Sequence, residues 1–173
     1  MKEDRLAPLP GRVQSGRGIA TLHCCNHSKE IESALGYSPY PGSLNIILDQ
    51  PVRLALENAY VFDHGHRYLW QARLLKHPVF LYRWDLTPLH ICEIIADRNL
   101  RSYFHFQDGD RVTIEVGKCI PHAPDIFSKA GWFFLWFGRK KWFYTSDHYE
   151  RWTRYYTWRL GAAQKPWTLS RTD

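Results

Sequence analysis

The sequence predicts a mainly β fold: a small closed barrel followed by a C-terminal β-hairpin and helix. Three observations carry this. Short apolar segments recur between turn signals along the first two-thirds of the chain, and Val112, Ile114 and Val116 alternate with polar residues as one face of a strand does. Many short strands leave exposed sheet edges unless the sheet closes on itself. The composition then changes after Pro124, where six of the eight tryptophans fall between Trp132 and Trp167.

The elements follow in order. Residues 1–10 read as a flexible lead-in ending in Pro8 and Pro10. Residues 11–120 read as the barrel. Gly11-Arg-Val-Gln-Ser-Gly-Arg-Gly18 begins as a strand and breaks into a glycine loop. Residues 27–35 predict a short helix, with Ser28 as cap, Ile31 and Leu35 on one face, and Gly36 as the stop. Leu44–Leu48 is a strand. Residues 59–62 and 67–75 flank Asp63-His-Gly-His66 as a hairpin. Residues 78–82 and 90–96 are further strands, 97–104 one or two helical turns, and Asp108-Gly-Asp110 a tight turn into the strand Arg111–Val116. Residues 121–173 form an extension packed on the barrel. Its predicted hairpin pairs 132–137 with 142–145 across Gly138-Arg-Lys-Lys141. Its helix starts at Ser146-Asp147, with Glu150 completing a capping box for Asp147. Tyr149, Trp152, Tyr156 and Leu160 share one face of that helix.

Composition bounds the function. The 173 residues carry a net charge of +6, are 45% hydrophobic and 23% charged, and fit one globular domain. A basic surface favours anionic partners such as nucleotides, nucleic acid or an acidic membrane, and equally serves solubility. Cys24, Cys25, Cys92 and Cys119 make no C-x-x-C pair, and the N-terminus has no apolar signal core, so the reading is a reduced, cytoplasmic protein without a transmembrane segment. His23-Cys-Cys-Asn-His27 packs four possible metal ligands into five residues, but adjacent cysteines point apart on a strand. The segment reads better as a strand with one buried thiol. Asp63-His-Gly-His66 is more simply a turn.

Three segments resemble the archaeal-type CTP-dependent riboflavin kinases, in that family's order. They are Gly11-Arg-Val-Gln-Ser-Gly-Arg-Gly18; Leu35-Gly-Tyr-Ser-Pro-Tyr-Pro-Gly-Ser-Leu-Asn45; and Cys92-Glu-Ile-Ile-Ala-Asp-Arg-Asn-Leu-Arg101 with Asp108-Gly-Asp-Arg-Val112. The resemblance spans residues 11–116. It implies a six-stranded cradle-loop (RIFT-like) Greek-key barrel that transfers phosphate from CTP to riboflavin with Mg²⁺. It implies that Ser43 and Asn45 hold Mg²⁺, and residues two apart on an extended segment do point the same way. Gly16, Arg17, Gly18, Ile19 and Ala20 would cradle the nucleotide through backbone N–H groups. Arg98, Asn99, Leu100 and Arg101 would meet its base. Glu93 and Thr87 would contact the flavin, and Glu93 or Asp85 would orient the acceptor hydroxyl. Ala20 stands where the family carries glycine, and Asp97 where it carries proline.

A non-catalytic alternative remains: a nucleotide- or ligand-binding barrel whose aromatic, basic tail meets a partner. Aromatics interleaved with Arg139, Lys140, Lys141, Arg151, Arg154 and Arg159 are suited to stacking bases or to a membrane interface. The reading preferred is a tail that packs on the barrel and buries its aromatic faces.

Overall fold

A computed structural model describes residues 6–17, 26–117 and 121–165. Six antiparallel strands close into a barrel. Around it run β5 (Arg67–Leu74), β6 (His77–Trp84), β7 (Ile91–Ile95), β2 (Leu44–Leu48), β1 (Ala7–Gln14) and β8 (Arg111–Val116), and β8 pairs back onto β5. β4 (Tyr60–Phe62) extends the sheet beside β5, and β3 (Arg53–Leu54) pairs separately with β9 (Pro121–His122). Alternation does the sorting. Leu44, Ile46 and Leu48 of β2, and Val112, Ile114 and Val116 of β8, point into one core with Trp70, Leu81 and Ile94.

The lead-in is in part strand, because β1 begins at Ala7. Pro8 and Pro10 are tolerated there because their stretch of β1 pairs with β8 alone; the β2 pairing starts at Gly11. The predicted short helix is α1 (Ser28–Leu35), with His27 rather than Ser28 at the N-cap and Gly36 ending it in the left-handed region at φ 75°. The β5–β6 hairpin turns on Leu75 and Lys76, both at positive φ (51° and 66°), without the Asn or Gly such a turn favours. α2 (Leu100–Tyr103) is capped by the Asn99 side chain, which accepts from the Ser102 N–H.

The predicted C-terminal hairpin is a helix. α3 (Ile126–Trp136) is capped by Asp125, whose carboxylate accepts from the Phe127 and Ser128 N–H groups at 3.0 Å. High β propensity in the Trp/Phe run suggested strands, but the cap and the burial of Ser128, Leu135 and Trp136 on one face decide for helix. The outer face leaves Phe127, Phe133, Phe134 and Phe137 exposed, and of the described tail aromatics only Trp136, Phe143 and Tyr144 are fully buried while half are exposed. A 3₁₀ turn (Lys141–Thr145) leads to α4 (Asp147–Trp152) and then to a π-turn at 153–157. The capping box is absent: the Ser146 hydroxyl donates to the Phe143 carbonyl, and Glu150 pairs with Arg17 and Arg154. The π-turn resets the helical register. It buries Thr153 and Thr157 and leaves Tyr156 and Leu160 exposed, which breaks the predicted face.

Two buried groups join the tail to the barrel. Arg83, fully buried, donates to the Ile91, Val52 and Leu89 carbonyls and to the Gln164 amide oxygen. Gln164 in turn bonds both backbone groups of Leu54. His90 packs among Trp132, Trp136 and Tyr144, 3.1 Å from the Tyr144 hydroxyl. Burial, and secondarily Arg83, lowers its pKa to about 3. The folded chain therefore keeps His90 neutral, whereas the unfolded chain protonates it below about pH 6.5. Between those values the unfolded state binds more protons, so stability falls as pH falls, by at most about 1.4 kcal/mol per unit. Denaturant unfolding at pH 7 and pH 5 is expected to show a loss of roughly 1–2 kcal/mol that His90→Phe largely removes. An equal loss in the variant would assign the acid sensitivity elsewhere. Among the described residues, no helix is long and apolar enough to cross a membrane.

Candidate active site

Four neighbouring strands set one row of side chains on the outer face of the barrel. Gln14 of β1 opposes Asn45 of β2, Asn45 opposes Glu93 of β7, and Glu93 opposes Tyr82 of β6. Directly opposed residues share a face. Cys92 and Ile94 on either side of Glu93 point into the core, which forces Glu93 outward. All four line a cavity of about 490 Å³. The loop into β2 brings Ser43 to the same wall, two residues from Asn45, and its hydroxyl donates to Glu93 Oε2 at 2.8 Å.

The end of β1 forms the next wall. Gly16 is needed for its smallness, since a Cβ there would stand 1.9 Å from Asn45 Nδ2. Backbone and amide therefore pack directly, and the glycine loop and the Ser-Leu-Asn segment make one surface. Arg17 turns toward the tail, pairing with Glu150 and, at 3.0 Å, with Asp147. Gly18, Ile19 and Ala20 of the predicted nucleotide loop, and His23, Cys24, Cys25 and Cys119, lie outside the described residues.

Arg98, Asn99, Leu100 and Arg101 form the rim. Arg98 is held by Asp97 and lies over the Tyr103 ring. Asp97 also meets His77, and the Arg98 hydrogen bond above all lowers its carboxyl to about 2. Asn99 donates to the Tyr40 hydroxyl at 3.2 Å while capping α2. The Leu100 side chain is in the core, so at this rim it offers only its backbone. Arg101 bonds Asp108 Oδ1 at 2.8 Å, and the same carboxylate accepts from Ser15 Oγ at 3.0 Å. Lys141 of the tail donates to the Asp108 carbonyl. Asp108 thus ties the rim, the glycine loop and the tail together, an organising role its Asp-Gly-Asp turn did not announce.

Glu93 sits at the cavity floor. Burial raises its pKa, and the Ser43 hydroxyl and the Arg67 charge only partly oppose this. Arg67 lies beside it, bonded to Asp63 at 2.7 Å and to the Tyr82 hydroxyl. The structure does not bring Asp85 or Thr87 into the cavity. Asp85 accepts from the Tyr68 hydroxyl and contacts His66 Nδ1 at 2.7 Å. Thr87 is 2% exposed, and its Oγ1 accepts from the Trp84 N–H. Of the two carboxylates considered for the acceptor, Glu93 alone lines the cavity.

Sequence reasoning missed the remaining walls. Tyr82, Trp84 and Arg67 arrive through strand register, and Tyr144, Tyr149, Thr153 and Arg154 come from the tail. No local motif marks them. The only sequence signal was the aromatic density of the tail itself.

Comparison with known proteins follows the same segments. Residues 13–116 match the model of the CTP-dependent riboflavin kinase family, described as a domain of unknown function, DUF120. The chain is 31% identical over 125 residues to a riboflavin kinase of Pyrobaculum islandicum, covering 62% of this chain and 59% of that one. It is 31% identical over 122 residues to a riboflavin kinase of Thermococcus kodakarensis, covering 62% and 58%. For a riboflavin kinase of Saccharolobus solfataricus the identity is 28% over 130 residues, covering 62% and 73%. The chain spans about three-fifths of the length of the first two relatives. With Gly16, the Ser-Leu-Asn segment and Glu93 of Glu-Ile-Ile-Ala meeting at one cavity, the chain belongs to the CTP-dependent riboflavin kinase family.

Proposed function

We propose that this chain transfers the γ-phosphoryl group of CTP to the terminal ribityl hydroxyl of riboflavin, giving FMN and CDP, in a Mg²⁺-dependent reaction. The observation that carries this is the convergence of Ser43, Asn45 and Glu93 on one cavity wall, with Gly16 packed against Asn45. Family membership supports the donor, and the names of the relatives support the acceptor.

The residues fit the metal. Ser43 Oγ and the Asn45 amide oxygen are hard ligands, and the Ser43 proton is directed at Glu93, which leaves its oxygen lone pairs for a cation. Among the described residues, no three His, Cys, Asp or Glu groups converge as a metal cage, which suits an ion completed by substrate phosphates and water. When bound, Mg²⁺ neutralises charge on the transferring phosphate. The chain itself aligns the two substrates. Phosphoryl transfer asks for little covalent chemistry, and in-line positioning supplies much of the rate. The acceptor oxygen forms the new O–P bond, the bond from γ-phosphorus to the bridging oxygen breaks toward CDP, and the acceptor proton passes to Glu93. Burial raises the Glu93 pKa, which makes it a stronger proton acceptor than a solvent-exposed carboxylate.

The test is incubation of the full chain with riboflavin, Mg²⁺ and CTP or ATP, followed by separation of flavins and nucleotides. FMN and CDP in equal amounts are the expected result. CTP bound without turnover would instead make this a ligand-binding barrel, and no nucleotide binding would end the kinase reading.

A further inference from the structure

The first residue of the tail's π-turn presents an unused group to the cavity. Thr153 is 3% exposed, lines the cavity, and its Oγ1 makes no hydrogen bond of ordinary geometry, although the Tyr149 hydroxyl lies near it. A buried hydroxyl without a partner is costly and calls for a reason. Thr153 opens the π-turn one helical turn beyond Tyr149, so both face the cavity, and insertion of a residue into a helical turn is a common device at functional sites. Around it stand flat or cationic groups. Arg154 lies over the Trp84 ring at 5.8 Å and is held there by Glu150 at 2.9 Å. Tyr144 and Tyr149 complete the wall. Glu150 also grips Arg17, so this wall is clamped to the glycine loop.

We propose that the tail carries the acceptor-ring subsite: Thr153 donates a hydrogen bond to a carbonyl or ring nitrogen of a planar heteroaromatic acceptor, whose faces meet Trp84 and the tail tyrosines. This rests on the reading of the cavity as a kinase site, and it assigns the choice of acceptor to residues beyond the 13–116 stretch that the family model matches. Aromatic faces select a flat ring, and a single directed donor selects its polar edge, because an analogue without the acceptor atom leaves Oγ1 unpaired. The residues assigned to the nucleotide, Gly16, Arg17 and 98–101, are distinct from Thr153, Trp84 and the tail tyrosines, although Glu150 links the two sets through Arg17. Acceptor choice and donor choice are therefore separable in this protein.

The experiment is titration of the full chain with riboflavin, and separately with CTP and Mg²⁺, for wild type, Thr153→Val and Thr153→Ser, with a thermal melt of each. Valine keeps the shape and removes the unpaired hydroxyl. Riboflavin affinity is expected to fall roughly tenfold in Thr153→Val, the worth of one hydrogen bond, and to stay within about twofold in Thr153→Ser. CTP affinity should be the same in all three, and the melting temperature of the valine variant unchanged or higher. Unchanged riboflavin affinity in Thr153→Val, with CTP still bound, would overturn the subsite and leave the kinase reading intact. A lower melting temperature with both ligands weakened alike would mark Thr153 as structural and also overturn it. Riboflavin binding that depends on Thr153 in a chain that binds no nucleotide would uphold the subsite and remove the kinase reading.

Discussion

Asn45→Ala is expected to lower kcat/KM for CTP-dependent phosphorylation by roughly 10²–10³-fold, about 3–4 kcal/mol of transition-state stabilisation, with the fold intact. Asn45 stands at the centre of the Gln14–Asn45–Glu93–Tyr82 row and is the residue on which the glycine loop rests. Its side chain faces outward from β2, between Ile46 and Leu44, whose side chains belong to the core, so its loss leaves the core packing alone. Two properties go together in the alanine variant: an oxygen ligand suited to Mg²⁺, and the surface that shapes the loop at Gly16. Gly16→Ala separates them. It keeps the amide but drives it away, because the new Cβ would overlap Nδ2 at 1.9 Å. Both variants are expected to lose CTP binding by calorimetry, and higher Mg²⁺ should recover part of it only in Gly16→Ala. CTP affinity and turnover unchanged in Asn45→Ala would remove Asn45 from the site.

Glu93→Gln is expected to reduce kcat by roughly 10²–10³-fold while raising stability at neutral pH. Glutamine keeps the length of the side chain and an oxygen that still accepts from Ser43, so geometry is preserved and only proton acceptance is lost. The pH dependence carries the sign. Burial raises the Glu93 pKa above 4.5, so the wild-type base is protonated, and activity lost, as pH falls through that raised value. The variant should lack this acidic limb. Stability runs the other way: with the folded pKa above the unfolded one, the folded state binds more protons in that window, and stability falls as pH rises through it. A neutral amide escapes this, so the melting temperature at pH 7 should rise as activity falls, the trade expected where a site is held strained for function. A variant with wild-type kcat and the same acidic limb would show that another group takes the proton.

Much of the barrel was legible because strand alternation is a local property. Leu44–Leu48 matches the strand read from its apolar run and Arg111–Val116 the strand read from alternation, and Gly36 ends its helix where expected. The Ser-Leu-Asn and Gly-x-Gly segments were legible for a related reason: backbone approach and paired ligands require particular residues at short spacing. Other elements were not. Leu75-Lys76 makes a tight turn against its own backbone preference, because the long β5–β6 ladder, from Arg67↔Trp84 to Leu74↔His77, pays for the strain. The run Trp132–Phe137 is apolar on every side, so no period distinguishes strand from helix, and the Asp125 cap settled it. Thr157 is buried while Tyr156 and Leu160 are exposed because a π-turn interrupts the 3.6 period from which the Tyr149–Leu160 face was read.

The amino-acid sequence by itself determined which residues can form strands, where glycine must stand, and which hydroxyl, amide and carboxylate are available for phosphoryl chemistry. Tertiary structure alone decided which of them meet. Glu93, in the middle of β7, and Asp85, just past β6, are both carboxylates on the barrel, but strand register sets Glu93 beside Asn45 and turns Asp85 to Tyr68 and His66. Likewise the tail becomes a wall of the site through the buried Arg83–Gln164 and His90–Tyr144 contacts, which join residues 54 to 81 positions apart. Local spacing specifies the direction of a side chain. Contact between distant segments depends on how their apolar faces find common burial, and that is settled only when the whole chain packs.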